Sequence, residues 1–107
     1  HRFLQLAIIL EMLFLPKQKQ ELRYRFHLRM AKWFSHVFND DIKTVATQSL
    51  RIYDLRSAIA HQGVAKISDA EMTNVKDYTR RALRRYLIDP TAFADAYLDD
   101  LCLGTWQ

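Results

Sequence analysis

The stretch Arg51-Ile52-Tyr53-Asp54-Leu55-Arg56-Ser57-Ala58-Ile59-Ala60-His61-Gln62-Gly63 decides how this chain is read. It closes a segment predicted to be helical from about Asp41 to His61. Ile42, Val45, Ala46, Ser49, Ile52, Tyr53 and Ala60 recur along one side of that segment at the spacing of an α-helix. Asn39, Asp40 and Asp41 offer an N-cap at its start. Gly63 suits the left-handed position that ends a helix.

Four further helices are expected around it, and no segment alternates as a strand would. The first covers Phe3 to Leu15, is apolar nearly all round, and stops at Pro16. The second runs from Lys17 to Phe38, with Leu22, Phe26, Met30, Trp33 and Phe34 in one stripe flanked by Arg23, Arg25, Arg29 and Lys32. Ser68 with Glu71 forms a capping box and opens the fourth, which continues through Val75, Tyr78, Thr79, Leu83, Tyr86 and Leu87. Asp89-Pro90 ends that helix and starts the fifth, which carries Ala92, Ala96, Leu98 and Leu101 to Gly104. Short connections between long helices make antiparallel neighbours, so the expected fold is all-α, a bundle of four to five antiparallel helices.

Composition agrees with that reading. A chain of 107 residues is one domain by default, so residues 1–107 are taken as a single helical domain. Two Gly and two Pro are too few for the turns of an all-β fold. The single cysteine, Cys102, removes an internal disulfide and any zinc site built from several cysteines. It fits a reducing compartment, and the expected location is cytoplasmic. The most apolar run is interrupted by Gln5 and Glu11 and falls short of the about 20 residues that a membrane span needs, so no membrane partner is expected. The chain begins with His1, so it reads as part of a longer protein whose partner or sensor domains lie elsewhere.

Charge is divided along the chain. All 16 Lys and Arg precede residue 89, against eight Asp and Glu there. Residues 89–107 carry four Asp and no base. A basic body attracts polyanions through counterion release, although Arg-rich helix faces are also often simply solvated. Arg80, Arg81, Arg84 and Arg85 stack as like-charged i,i+4 pairs, which an anion would relieve. They are the candidate nucleic-acid contacts.

Few residues offer chemistry. The four His stand far apart and no carboxylate-rich cluster accompanies them, so no metal site and no cofactor is expected. No Gly-rich loop is present to cradle a nucleotide phosphate. What remains is Arg56 and His61, an Arg and a His five residues apart. Cleavage of RNA without a metal needs a fixed cation to hold charge on the phosphate and a group titrating near neutrality to move a proton. Arg and His are those two groups. The same spacing also suits a His that merely caps helix carbonyls. On a straight helix residues five apart are about 140° apart, whereas Ser57 and His61 share a face. Either the helix bends or ends before His61, or the two groups come from different chains.

The run Tyr53-Asp54-Leu55-Arg56-Ser57, followed by His61, resembles the core motif of HEPN domains, in the form of the Apea-like branch. Leu10-Glu11-Met12-Leu13-Phe14 resembles that family's first-helix Glu signature, and Arg29-Met30-Ala31 its second-helix Arg-x-Ala. The three motifs span roughly residues 5–63 in the family's order. The position two after His61 is Gly63 rather than Tyr, which sets the chain apart from the nucleotidyltransferase-paired toxins, and Gln62 stands where the Apea-like pattern often has Gly. The resemblance implies a homodimer with both motifs in a shared cleft and metal-independent ribonuclease activity, often in bacterial defence. It assigns catalysis to Arg56 and His61, with Ser57 as the polar neighbour and Glu11 as a supporting carboxylate. The alternatives are a non-catalytic helical dimerisation or interaction module, or an RNA-binding bundle. Two expectations follow from the residues themselves. Glu11, set among apolar neighbours, should be buried against Arg29 or Arg56. The first helix should need cover for Phe3, Leu6, Ile9 and Leu13, which an apolar homodimer interface would supply.

Overall fold

The computed structural model describes residues 1–17 and 20–103. Its elements are α1 (Arg2–Phe14), α2 (Leu22–Phe38), α3 (Ile42–Gln62), α4 (Asp69–Ile88), a 3-10 turn (Pro90–Phe93) and α5 (Asp95–Cys102). The chain forms an all-α bundle, with no strand among the described residues. The expected end of the fifth helix at Gly104 lies outside the described residues, as do Gln18 and Lys19 of the expected second helix.

Local chemistry sets the helix ends. Asp41 accepts a hydrogen bond from Thr44 N–H at 2.9 Å and caps α3, while Asn39 takes the left-handed conformation that closes α2. Ser68 and Glu71 cap α4 reciprocally, as their spacing predicts. The expected second helix begins later, at Leu22, because Glu21 just before it has a positive φ of 54°. The expected fifth helix is divided. Asp89 caps a 3-10 turn through Thr91 N–H, Ala94 is extended, and α5 starts only at Asp95. That turn swings Phe93 into the core and presents the Ala92 carbonyl to the indole N–H of Trp33 at 3.0 Å.

Aromatic rings fill the centre. Trp33 lies edge-on to Phe14 at 5.4 Å and to Phe34 at 4.9 Å, and its ring is 4.7 Å from that of Phe93. One charge is buried among them. Arg29 is 1% exposed, donates to the Phe14 carbonyl at 2.9 Å, and reaches Asp95 at 2.9 Å and Asp99 at 2.7 Å. The carbonyl it meets is one that the end of α1 leaves unpaired. A single guanidinium thereby fastens α1, α2 and α5 together.

Not every expected core position is covered. Phe3, Ala7, Leu10, Leu13 and Phe14 of α1 are buried within the chain, and Leu6 and Ile9 are partly so. The cover foreseen from a second copy is thus supplied for Phe3 and Leu13 by the chain itself. Ala60, Ala96 and Ile42 are exposed. Leu83, Tyr86 and Leu87 of α4 also face outward, although the Tyr86 ring lies 6.0 Å from that of Phe93 in the 3-10 turn.

Candidate functional site

α3 runs unbroken past His61 to Gln62, and Gly63 closes it with φ +80° and an N–H bonded to the Ile59 carbonyl at 2.8 Å. The helix therefore does not end before His61. Val45, Ser49, Ile52, Leu55 and Ile59 mark its buried side. Arg56 lies beside that stripe and is partly buried, whereas His61 is exposed on the far side, one turn beyond Ser57. One chain does not bring Arg56 and His61 together.

Arg56 is brought to Glu11 instead. Its Nε donates to Glu11 Oε2 at 2.6 Å, tying α3 to α1. Of the two partners expected for Glu11, Arg56 is the one found, and Arg29 is occupied elsewhere. Glu11 is half-buried rather than enclosed. The pair sits at a surface cavity of about 420 Å³, with Leu15, Pro16 and Leu22 on its walls. Among the described residues the two Nη groups of Arg56 have no protein partner, so its fork remains open to an anion.

Tyr53, one turn before Arg56, belongs to the same neighbourhood and was not singled out in the sequence as a site residue. Its phenol is pushed above its usual range, first by burial and then by the negative charge of Glu11, against the opposing charge of Arg56. Its i−3 spacing from Arg56 was the available signal. On the outer side of α3, Asp54 accepts two hydrogen bonds from Arg23, at 2.7 and 3.0 Å, which hold its carboxyl below the usual range.

The four arginines of α4 gather around a second cavity of about 370 Å³ with Phe38 and Ile88. Their roles divide. Arg81 grips Asp40 with both ends of its fork, at 3.0 and 2.8 Å, meets Asp77 at 2.8 Å, and lies 4.8 Å above the ring of Phe34. Arg80 bonds Asp77 at 2.9 Å. Carboxylates of the chain thus relieve the crowding that an external anion was expected to relieve at these two positions. Arg84 and Arg85 are exposed and have no partner among the described residues.

No group of three or more His, Cys, Asp or Glu side chains is placed to hold a metal ion among the described residues. No helix among them is long and apolar enough to cross a membrane. No family model, curated protein or solved structure matches the chain.

Proposed function

We propose that this chain is a metal-independent endoribonuclease of HEPN type, acting as a homodimer. The observation that carries this reading is the state of Arg56. Its Nε is fixed by Glu11 while its Nη groups stay open beside a cavity, an arrangement suited to a phosphate. The continuous α3 supplies the reason for two copies. His61 lies on the solvent side of the same helix, and a facing copy can set its own His61 opposite Arg56.

In such a cleft the 2′-hydroxyl of the RNA attacks the adjacent phosphorus. The 2′-oxygen–phosphorus bond forms and the bond to the 5′-oxygen breaks, leaving a 2′,3′-cyclic phosphate. One proton leaves the 2′-hydroxyl and one reaches the 5′-oxygen. Two copies of His61 allow one imidazole to accept the first and the other imidazolium to give the second. Arg56 holds the charge that builds on the phosphate oxygens. Because the nucleophile is already part of the substrate, binding has only to align it.

Incubating the protein with mixed RNA in EDTA tests this. Cleavage to cyclic-phosphate ends is expected, with DNA left intact. His61→Ala should reduce the rate by about 10²–10⁴. Mixing Arg56→Ala chains with His61→Ala chains should restore a small part of the activity, since the mixed dimer sets one Arg56 opposite one His61, which then moves one of the two protons while water moves the other. Cleavage that needs magnesium, or is indifferent to His61→Ala, overturns the reading in favour of the interaction module.

A further inference from the structure

The side chains of α4 that the core leaves uncovered are not scattered. Leu83, Tyr86 and Leu87 lie along a groove whose other wall is α1, where Ile9 and Met12 meet them. Two cavities, of about 340 and 420 Å³, open along this groove and share Leu83. Met12 is 69% and Leu87 81% exposed, far more than large apolar residues near a core need be. Arg2, Lys76, Arg80 and Arg84 line one of the cavities, and no carboxylate lines either. Arg80 already shares Asp77, but Arg2, Lys76 and Arg84 have no anionic partner among the described residues.

We propose that the α1–α4 groove docks an acidic amphipathic helix of another protein. Apolar side chains spaced three and four residues apart on that helix would fill the two cavities, and carboxylates beside them would meet Arg2, Lys76 and Arg84. The charge of the groove selects this occupant. A second copy related by a two-fold axis would set the same cations against each other, with no carboxylate in the groove to answer them. A nucleic acid would satisfy the arginines and leave Leu83, Leu87 and Met12 wet. The groove meets the cavity beside Glu11 and Arg56 only at Met12, and Leu87 and Arg84, on which the test turns, line the groove and not that cavity, so this proposal does not depend on the ribonuclease reading.

Selection from a random library of displayed peptides, each roughly 20 residues long and so able to span the groove as a helix, tests the proposal. The intact protein is the bait, and the Leu87→Arg variant, checked for helicity, is the counter-bait. Binders specific to the unmodified protein should carry an apolar stripe at helical spacing flanked by Asp or Glu. A synthetic copy of one such binder should lose about tenfold in affinity against Arg84→Glu and weaken as salt rises, and its Glu→Lys version should not bind. The proposal is overturned by binders that are neutral or basic, or by recovery of none that depends on Leu87. Self-association abolished by Leu87→Arg would assign the groove to a second copy instead. Leu87-dependent sedimentation with phosphatidylglycerol vesicles, without peptide binding, would assign it to a lipid surface.

Discussion

Glu11 and Arg56 are joined by a 2.6 Å hydrogen bond across 45 residues of sequence, and that bond is the direct polar link between α1 and the motif-bearing helix α3. Both side chains are partly buried, so removing one leaves the other only partly solvated. A hydrogen bond between charged groups contributes about 1.5–3 kcal/mol. Glu11→Ala should therefore lower the melting temperature by about 10 °C, at about 4–8 °C per kcal/mol for a domain of this size. Thermal unfolding followed by circular dichroism measures it. An unchanged midpoint would show that Arg56 finds water as readily as it finds Glu11.

His61 gives the opposite expectation. It is exposed and has no protein partner among the described residues, so His61→Ala should change stability by no more than about 0.5 kcal/mol. Loss of RNA cleavage in a variant with an unchanged melting curve would place the effect in the chemistry. A marked destabilisation would instead show that His61 holds the end of α3.

Gly63 ends α3 with φ +80°, and a Cβ built there would meet nothing within 4 Å. The cost of a side chain is thus purely conformational. Gly63→Ala should cost about 1–2 kcal/mol in a chemical denaturation curve, and Gly63→Asn distinctly less. Equal costs would mean that the end of the helix rearranges.

Glu71 links the capping box to α3, because its carboxylate accepts from Arg51 as well as from Ser68 N–H. The Arg51 hydrogen bond first, and then the Ser68 N–H, hold its carboxyl below the usual range. A folded-state value below the unfolded one gives stability that is present above about pH 4.3 and is lost as the pH falls through the lower folded value. Melting temperature should fall between about pH 5 and pH 3, and Glu71→Gln should flatten that fall while melting lower at neutral pH. Parallel slopes for the two proteins would show that other carboxylates dominate.

Tyr78 is buried and donates its hydroxyl to Gln48. Burial, and then the negative charge of Asp40, push its phenol up to about 12. The unfolded chain releases this proton near pH 10, so the stability tied to Tyr78 is intact below that pH and is lost as the pH rises through the folded value. A difference titration at tyrosinate wavelengths between the unmodified protein and Tyr78→Phe should show a step near 12. A step near 10 would mean that the ring is hydrated.

The parts of the fold legible in the sequence are those decided by neighbours. The Ser68–Glu71 box, the Asp41 cap and the Gly63 ending all form within four residues, and helical periodicity found Val45, Ser49 and Ile52 of the buried side of α3 but took exposed Ile42 and Ala60 in place of Leu55 and Ile59. Partners chosen across the bundle were not legible. Arg29 reads as one cation flanking the α2 stripe, yet it is fully buried, because the carboxylates that neutralise it arrive 66 and 70 residues later. Phe93 was hidden by the assumption that one helix starts at Pro90, when a 3-10 turn there rotates it inward. Leu83 and Leu87 read as continuing the apolar residues of α4, yet both are exposed, because apolar spacing does not say whether a neighbour exists to cover them. The same gap explains Arg56. Its spacing from His61 was visible, whereas the use of Glu11 to orient it depends on how α1 crosses α3.

The buried Arg29 also governs when the molecule can mature during synthesis. Until Asp95 and Asp99 have left the ribosome, a nascent chain that already contains α1 to α4 can bury Arg29 only against the Phe14 carbonyl, without either carboxylate. An uncompensated interior charge is costly enough to keep that intermediate loose. α5 therefore completes the core around Arg29, and a chain stalled before Asp95 should stay open to proteolysis.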